Sequence, residues 1–293
     1  MEIVVFGAGS LGSLIGGLLA RTHDVTLVGR EPHVSTIREQ GLRVTGEVEA
    51  TVHPDAQTEP PAGADLAVVT VKAFDTADAA RALSDCALDA CLSLQNGLCE
   101  ATLAEHLGAP ALAGTCTYGA RRREPGVVAC TGVGTVVLGP REGGQSDTAD
   151  RMGEVFDAAG IETVTATDMP RRLWEKLAVN AGINAVTALA RVENGTLLDG
   201  PAESVAHAAA RETAQVAREK GVELADETAV AAVERVAAAT AANRSSMLQD
   251  VTAGRRTEVD AIVGVVADAA PSTPVNETTA ALLRTWEAER DLR

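Results

Sequence analysis

Two rhythms of apolar and polar residues run along this chain, and one gives way to the other a little past its middle. EIVVF, Glu2–Phe6, is a continuous β-branched run that predicts a buried strand. It leads straight into GAGSLG, Gly7–Gly12, after which Leu11, Leu14, Ile15, Leu18 and Leu19 recur at helical spacing. DVTLVGR, Asp24–Arg30, is a second strand and completes a βαβ unit of about 30 residues. The alternation continues with strands over Asp65–Lys72, Cys91–Gly97 and Ala111–Ala120, with the helical TADAARAL after the first of them. Strands alternating with helices predict a parallel sheet of Rossmann type. EPPAGAD, Glu59–Asp65, is expected as a surface turn between a helix and a strand. VVACTGVGTVVLG predicts a hairpin, followed by a helix near Thr148–Ala159 and a short strand, IETVTA.

After TATDMPRRL the strand signals stop. Asp168 suits a helix N-cap and Pro170 the first helical turn. ESVAHAAARETAQVARE, TAVAAVERVAAATAANRSSM, EVDAIVGVVADAA and NETTAALLRTWEAERD are rich in helix formers, with apolar spacing near 3.6. The pattern predicts an α/β dinucleotide-binding domain over residues 1–167 and an all-α domain over residues 168–293.

One helical stretch breaks the usual segregation of polar and apolar residues. In WEKLAVNAGIN, Lys176, Asn180 and Asn184 lie four residues apart, within a strip roughly 80° wide on a helix. Leu173, Leu177, Val179 and Ile183 fall among or beside them, so this polar ladder sits on the apolar side. Burying a lysine and two carboxamides costs several kcal/mol unless they are hydrogen-bonded. The side therefore faces either protein partners or a ligand cavity. The plainer alternative is a lysine with a buried stem and a solvated head, beside two asparagines satisfied by backbone.

Composition narrows the classes. The net charge of -16, from 41 acidic against 25 basic residues, disfavours nucleic acid or an anionic membrane as a partner. No apolar run approaches the roughly 18 residues of a membrane span, and the amino-terminal stretch has no cleavable leader pattern. A cytoplasmic protein is expected. Cys86, Cys91, Cys99, Cys116 and Cys130 form no CxxC pair and are odd in number, which argues for reduced thiols and against a disulfide framework or a metal site. Lysine occurs only at positions 72, 176 and 220, so a lysine on an apolar helix side stands out. The acidic, alanine-rich composition fits a salt-rich cytoplasm and a GC-rich genome equally.

The glycine turn carries the first candidate chemistry. Gly7 permits a tight bend, Gly9 lets backbone approach a pyrophosphate, and Gly12 lets the helix pack closely on the strand. The helix amino-terminus then binds the anion. Where NAD-binding chains usually place Asp or Glu at the end of the second strand, this one has Arg30, followed by Glu31. Arginine there suits a 2′-phosphate and favours NADP. Lys72 and Asn96 follow the third and fourth strands, at the ends where ligands bind in open α/β sheets; for Asn96-Gly97 a plain turn is the alternative.

GAGSLG, VGR, VKAFDT, LQNG, TYGA, WEKLAVNAGIN, ENG, NRSSMLQD and RRTEVD occur in this order, and with them the chain resembles the ketopantoate reductase family. The resemblance implies a Rossmann-type domain followed by an all-α, 6-phosphogluconate dehydrogenase-like domain. It also implies reduction of 2-dehydropantoate to pantoate with NADPH on the route to pantothenate and coenzyme A. By the matching motifs, Lys176 is implied as the proton donor and Glu258 as the acidic residue near substrate and cofactor. Asn96, Asn180, Asn184, Asn194, Asn243 and Ser246 are implied substrate contacts. Gly7, Ala8, Gly9, Ser10, Leu11, Gly12, Arg30, Lys72, Asn96, Ala120 and Glu258 are implied contacts of the dinucleotide. A small 2-oxo acid is the expected partner, together with a possible second copy of the chain as a homodimer.

The chain departs from the family pattern at four places: Ala185 after Asn184, Cys130-Thr131-Gly132, Val263-Gly264, and Cys99. These leave open another 2-oxo acid as substrate on the same architecture. A dinucleotide sensor without catalysis is the reading from a different class, and it gives no reason for Lys176, Glu258 and the asparagines to occur together.

Overall fold

The β-branched runs and the helical stretches sort into two units, Met1–Met169 and Pro170–Arg293, in the computed structural model, which describes residues 1–269 and 272–293. The first unit runs β1 (Glu2–Phe6), α1 (Ser10–Leu19), β2 (Asp24–Val28), α2 (His33–Gln40), β3 (Leu42–Gly46), β4 (Ala50–Val52), β5 (Asp55–Gln57), β6 (Gly63–Val69), α3 (Thr76–Leu83) and β7 (Ala87–Ser93). It continues with α4 (Glu100–His106), β8 (Ala111–Cys116), β9 (Gly119–Glu124), β10 (Val127–Gly132), β11 (Val136–Pro140), α5 (Asp147–Ala158) and β12 (Thr163–Thr165).

The main sheet has the order β12-β11-β8-β7-β6-β1-β2-β5, with all pairs parallel from β5 to β8. Its centre is buried on both faces. Ile3 and Val5 meet Leu14, Ile15 and Leu18 of α1 on one side, and Val4 and Val69 meet Ala79 and Leu83 of α3 on the other. That explains the unbroken apolar run of β1, since a strand covered on both faces has no solvent side to alternate with. Each fully buried aliphatic side chain contributes about 1.5–3 kcal/mol. From β1 the chain moves outward to β2 and later returns to the other flank of β1 as β6. The order reverses at β1, so the loops after β1 and β6 open into one crevice.

Several expectations are corrected. VVACTGVGTVVLG is not a hairpin: β10 belongs to a second sheet, β4-β3-β10-β9, while β11 pairs with β8 and β12 in the main one. The single strand expected over Ala111–Ala120 is likewise divided, into β8 and β9 on different sheets. The true hairpin is β9–β10, turning at Gly126. Its β9 strand reads GARRRE and is largely exposed, so no apolar alternation marks it. The strand expected at Cys91–Gly97 lies instead at Ala87–Ser93, and EPPAGAD joins two strands, β5 and β6, with no helix before it.

The second unit consists of α6 (Met169–Asn180), a π-turn (Ala181–Ala185), α7 (Val186–Ala190), a 3-10 turn (Asn194–Leu197), α8 (Glu203–Glu219), α9 (Asp226–Ala239), α10 (Ser246–Thr252), a second π-turn (Asp260–Gly264), α11 (Val265–Ala267) and α12 (Pro274–Ala288). Helix α6 begins directly after Asp168, with Pro170 in its first turn. The helix expected to run through NRSSM ends at Ala239, because Ser245 accepts a hydrogen bond from Leu248 N and caps a new helix. Of the helical stretch EVDAIVGVVADAA, Ala270 lies outside the described residues.

The β9–β10 turn of the second sheet is tied to α1 through a buried histidine of α2. His33 Nδ1 accepts from Gly126 N–H at 3.0 Å, so the proton sits on Nε2 and is donated to Ser13 Oγ at 2.9 Å. Burial, assisted by the Arg122 charge, pushes the His33 pKa down to about 4. The unfolded chain takes up this proton near the usual pKa of 6.5, whereas the folded chain resists until about 4. The neutral ring's contribution to stability is therefore complete above pH 6.5 and fades as pH falls towards 4. By pH 5 this group costs about 2 kcal/mol. Urea unfolding at pH 7.5 and pH 5 is expected to lose that amount in the wild type but not in His33→Gln.

Candidate active site

The glycine turn is bound to both neighbouring strands. Gly7 N and Ala8 N donate to Val28 O at 2.9 and 2.8 Å, and Thr70 Oγ1 donates to Gly7 O at 2.9 Å. Gly7 adopts φ 112°, and a Cβ there would lie 2.6 Å from Val71 N. A Cβ at Gly12 would overlap Gly7 O and Thr70 Oγ1. Gly9 differs: its nearest neighbour would be Gly7 O at 3.8 Å, so the space beside it is open. Among the described residues no side chain caps α1, because its N-cap is Gly9, and Ser10 Oγ accepts from Arg122 N of β9 at 3.0 Å. Uncapped amide groups, a bare glycine backbone and an open approach are what a diphosphate requires. The crevice therefore fits a dinucleotide on the observed geometry of Gly9 and α1.

Other expected cofactor residues gather at the same sheet edge. Arg30 follows β2, Lys72 follows β6 and Asn96 follows β7, the last two half-buried. Arg30 Nη2 reaches Asp75 Oδ2 at 3.4 Å, although its side chain is 89% exposed, so a loose surface pair spans the reversal point. Such a pair holds the guanidinium weakly and leaves it able to turn to another anion. Glu31 is engaged elsewhere, with Oε2 accepting from Ser35 N at 3.1 Å, and hydrogen bonding from the Ser35 side chain first and its backbone N–H second lowers the Glu31 pKa. Gln95, which sequence reasoning passed over, joins the loops after β6 and β7 by donating to Val71 O and Thr76 Oγ1. Ala120 lies on β9, half-buried against the core over α1.

In the second unit the polar ladder sits among buried residues. Lys176 and Asn180 are half-buried on α6, while Asn184 is 7% exposed and lies in the π-turn rather than in regular α-helix. The wider turn puts small residues against α8: a Cβ on Gly182 would stand 2.9 Å from Ala206 O and 3.0 Å from Val233 Cγ2. Such π-turns occur frequently where a helix presents functional groups. The carboxamide nitrogen of Asn180 is buried with no hydrogen-bond partner.

Asn194 is 6% exposed and similarly half-satisfied. Thr240 Oγ1 donates to Val236 O, so it can only accept from Asn194 Nδ2 at 2.9 Å. Asn194 Oδ1 is thereby fixed as the free end, and it has no partner. Asn194 N also donates to Asn243 O at 3.0 Å, which brings those two expected residues together. Ser246 is exposed, whereas Ser245 is buried and bonded to Thr187 Oγ at 2.7 Å. Thr187 was not singled out from the sequence, and Ser245 only as part of the stretch Asn243–Ser246. The N-cap preference for serine was the available signal, but it does not distinguish adjacent serines.

Glu258 is 6% exposed and opens the second π-turn, which touches the π-turn carrying Asn184. Away from this cluster, Glu203, His207 and Glu234 hold donor atoms within 4.8 Å of one another, with His207 paired to Glu234 at 3.3 Å.

A glycine turn at the reversal point of a parallel sheet, followed in the chain by a helical unit with a polar ladder, defines a class of nicotinamide-dependent oxidoreductases. The family model "Ketopantoate reductase PanE/ApbA" matches residues 3–143, and "Ketopantoate reductase PanE/ApbA C terminal" matches residues 168–287. The chain belongs to the ketopantoate reductase family. It is 44% identical to the 2-dehydropantoate 2-reductase of Halobacterium salinarum, over 99% of this chain and all of the relative. It is 34% identical to that of Pyrococcus horikoshii, over 98% of each. A crystal structure of a PanE/ApbA family ketopantoate reductase from Ralstonia eutropha superposes with a TM-score of 0.91 at 32% identity, covering 99% of this chain and all of that one. D-mandelate dehydrogenase with NADH and anilino(oxo)acetate shares the fold, with a TM-score of 0.91 at 23% identity over the whole of both chains.

The two glycines separate binding from folding. Gly9→Ala is expected to keep the wild-type Tm while weakening binding of the reduced nicotinamide dinucleotide about tenfold or more, the loss of one charge-assisted hydrogen bond. Gly12→Ala is expected to lose about 1–3 kcal/mol of stability through overpacking. Thermal unfolding and fluorescence titration of each variant check both.

Proposed function

We propose that this chain reduces 2-dehydropantoate to pantoate with NADPH, serving pantothenate and coenzyme A synthesis, with Lys176 as the proton donor. The orphaned atoms of Asn180 and Asn194 carry this reading. Asn180 offers an unpaired donor and Asn194 an unpaired acceptor, both buried. Leaving either unmade costs about 1–3 kcal/mol, which a ligand returns when it binds. A hydroxylated 2-oxo acid has the complementary pattern, with carboxylate and carbonyl oxygens to accept and a hydroxyl to donate. Asn184, Asn243, Ser246 and Asn96 complete the proposed substrate contacts.

When bound, the reduced nicotinamide supplies the hydride to the carbonyl carbon. Negative charge then grows on the carbonyl oxygen, and the Lys176 ammonium delivers its proton there. A positioned acid of this kind contributes about 10²–10⁴ in rate. Glu258 orients the ammonium, and the asparagines hold the acid in register. At the other end, Gly7–Gly12 and the α1 amino-terminus take the diphosphate, with Lys72, Asn96 and Ala120 beside it. Arg30 takes the 2′-phosphate, and Glu31 beside it accepts from Ser35 N. The same reading takes the enzyme to be cytoplasmic and homodimeric, the second checked by light scattering. Among the described residues no helix is long and apolar enough to cross a membrane.

Steady-state assays with 2-dehydropantoate and a panel of other 2-oxo acids, using NADPH and NADH in parallel, test the assignment. The highest kcat/KM is expected with 2-dehydropantoate and NADPH. No NADPH oxidation with any 2-oxo acid would leave only a dinucleotide-binding protein. Lys176→Ala is expected to lose about 10²–10⁴ in kcat while still binding NADPH. Arg30→Ala is expected to raise KM for NADPH about tenfold, with KM for NADH little changed.

A further inference from the structure

Glu287, near the end of α12, is the charged side chain with 0% exposure among the described residues, and the reaction above gives it no role. Burying a carboxylate costs several kcal/mol, and a well-packed apolar residue would be at least as stable in such a position. Its partners show what the charge is used for. Glu287 Oε1 accepts both from Thr257 N at 2.7 Å and from Thr257 Oγ1 at 2.6 Å. The same hydroxyl accepts from Val259 N at 3.2 Å. Both residues flanking Glu258 are thus hung from one buried carboxylate.

The other oxygen anchors that carboxylate in turn. Glu287 Oε2 accepts from Arg293 Nη1 at 2.9 Å, and Arg293 Nη2 binds Asp260 Oδ2 at 2.9 Å, two residues beyond Glu258. Arg284 Nε closes the arrangement on Asp260 Oδ1 at 2.8 Å. The segment Thr257–Asp260 is therefore held from its amide, its hydroxyl and its acid, all from residues of α12 or just after it. An apolar residue at position 287 could fill the volume but could not fix the backbone on either side of Glu258.

We propose that Glu287 is the positioning residue for Glu258, acting through Thr257 to set the direction of the Glu258 carboxylate. The inference rests on the reading of Glu258 as a site residue. Glu287→Gln keeps shape and volume but gives up the charge that draws both Thr257 donors and Arg293. Thr257→Val removes the hydroxyl alone, and Thr257→Ser restores it. With 2-dehydropantoate and NADPH, Glu287→Gln and Thr257→Val are expected to lower kcat by about tenfold to a hundredfold, the range for a misplaced reacting group. KM for NADPH is expected to stay within twofold, and Thr257→Ser to recover most of the wild-type kcat.

A purely structural role would lower Tm and the fraction of active enzyme but leave kcat per active site unchanged, and that result would overturn the proposal. So would a folded Glu287→Gln with wild-type kcat while Glu258→Gln is impaired. If Glu258→Gln itself turns over at the wild-type rate, the assignment of Glu258 fails, and the proposal with it. Should Glu287→Gln not fold, Thr257→Val against Thr257→Ser decides by the same readout.

Discussion

A polar atom removed from water must find a partner, and the architecture of this chain is organised by where that demand is met internally and where it is left to a ligand. His33 is satisfied on both ring nitrogens, Thr187 bonds Ser245, and Gln95 bridges two strand-end loops. The first turn of α1, Asn180 Nδ2 and Asn194 Oδ1 are left open. The first of these lies at the glycine turn where the sheet order reverses, Asn180 on the polar ladder, and Asn194 in the 3-10 turn after α7. A folded chain sustains such exceptions only where the rest of the packing holds them in place.

The first unit achieves that rigidity with a sheet buried on both faces and a second, smaller sheet laid against α1. The second sheet does more than cover the core. Its β9 strand takes up Ser10 Oγ through Arg122 N, and its β9–β10 turn takes up His33 through Gly126 N. The N-cap of α1 is Gly9, which has no side chain, and that leaves the helix amides for an anion.

In the second unit the ladder depends on the π-turn. Gly182 lets this segment approach Ala206 and Val233 of α8 and α9 closely, so that Asn184 is held by packing on its far side. The second π-turn, behind Glu258, is secured by ion pairs from α12 and the residues after it. One π-turn thus carries a proposed site residue and the other follows one directly, both on backbone that neighbouring helices hold fast.

Much of this could be read from the chain alone, because the signals are local. The apolar run of β1, the glycines after it, the helical leucines of α1 and the four-residue spacing of Lys176, Asn180 and Asn184 each report on a few neighbouring residues, and those neighbours determine the conformation. The division of β10 and β11 between two sheets was not local: the residues around Val133 read as a continuous hairpin, and only the pairing of β10 with β3 takes it elsewhere. The exposed GARRRE strand gave no apolar signal, since its order comes from the partner strand and not from burial. Nor could spacing show that Ser245 rather than Ser246 faces inward, or that Glu287, 29 positions after Glu258 in the sequence, holds the turn before it. Sequence by itself determined the elements and the chemical groups on offer, because propensity and periodicity act over a turn or two. Tertiary structure alone decided which of those groups are satisfied and which are left waiting, because hydrogen-bond partners distant in the chain meet only after it has folded.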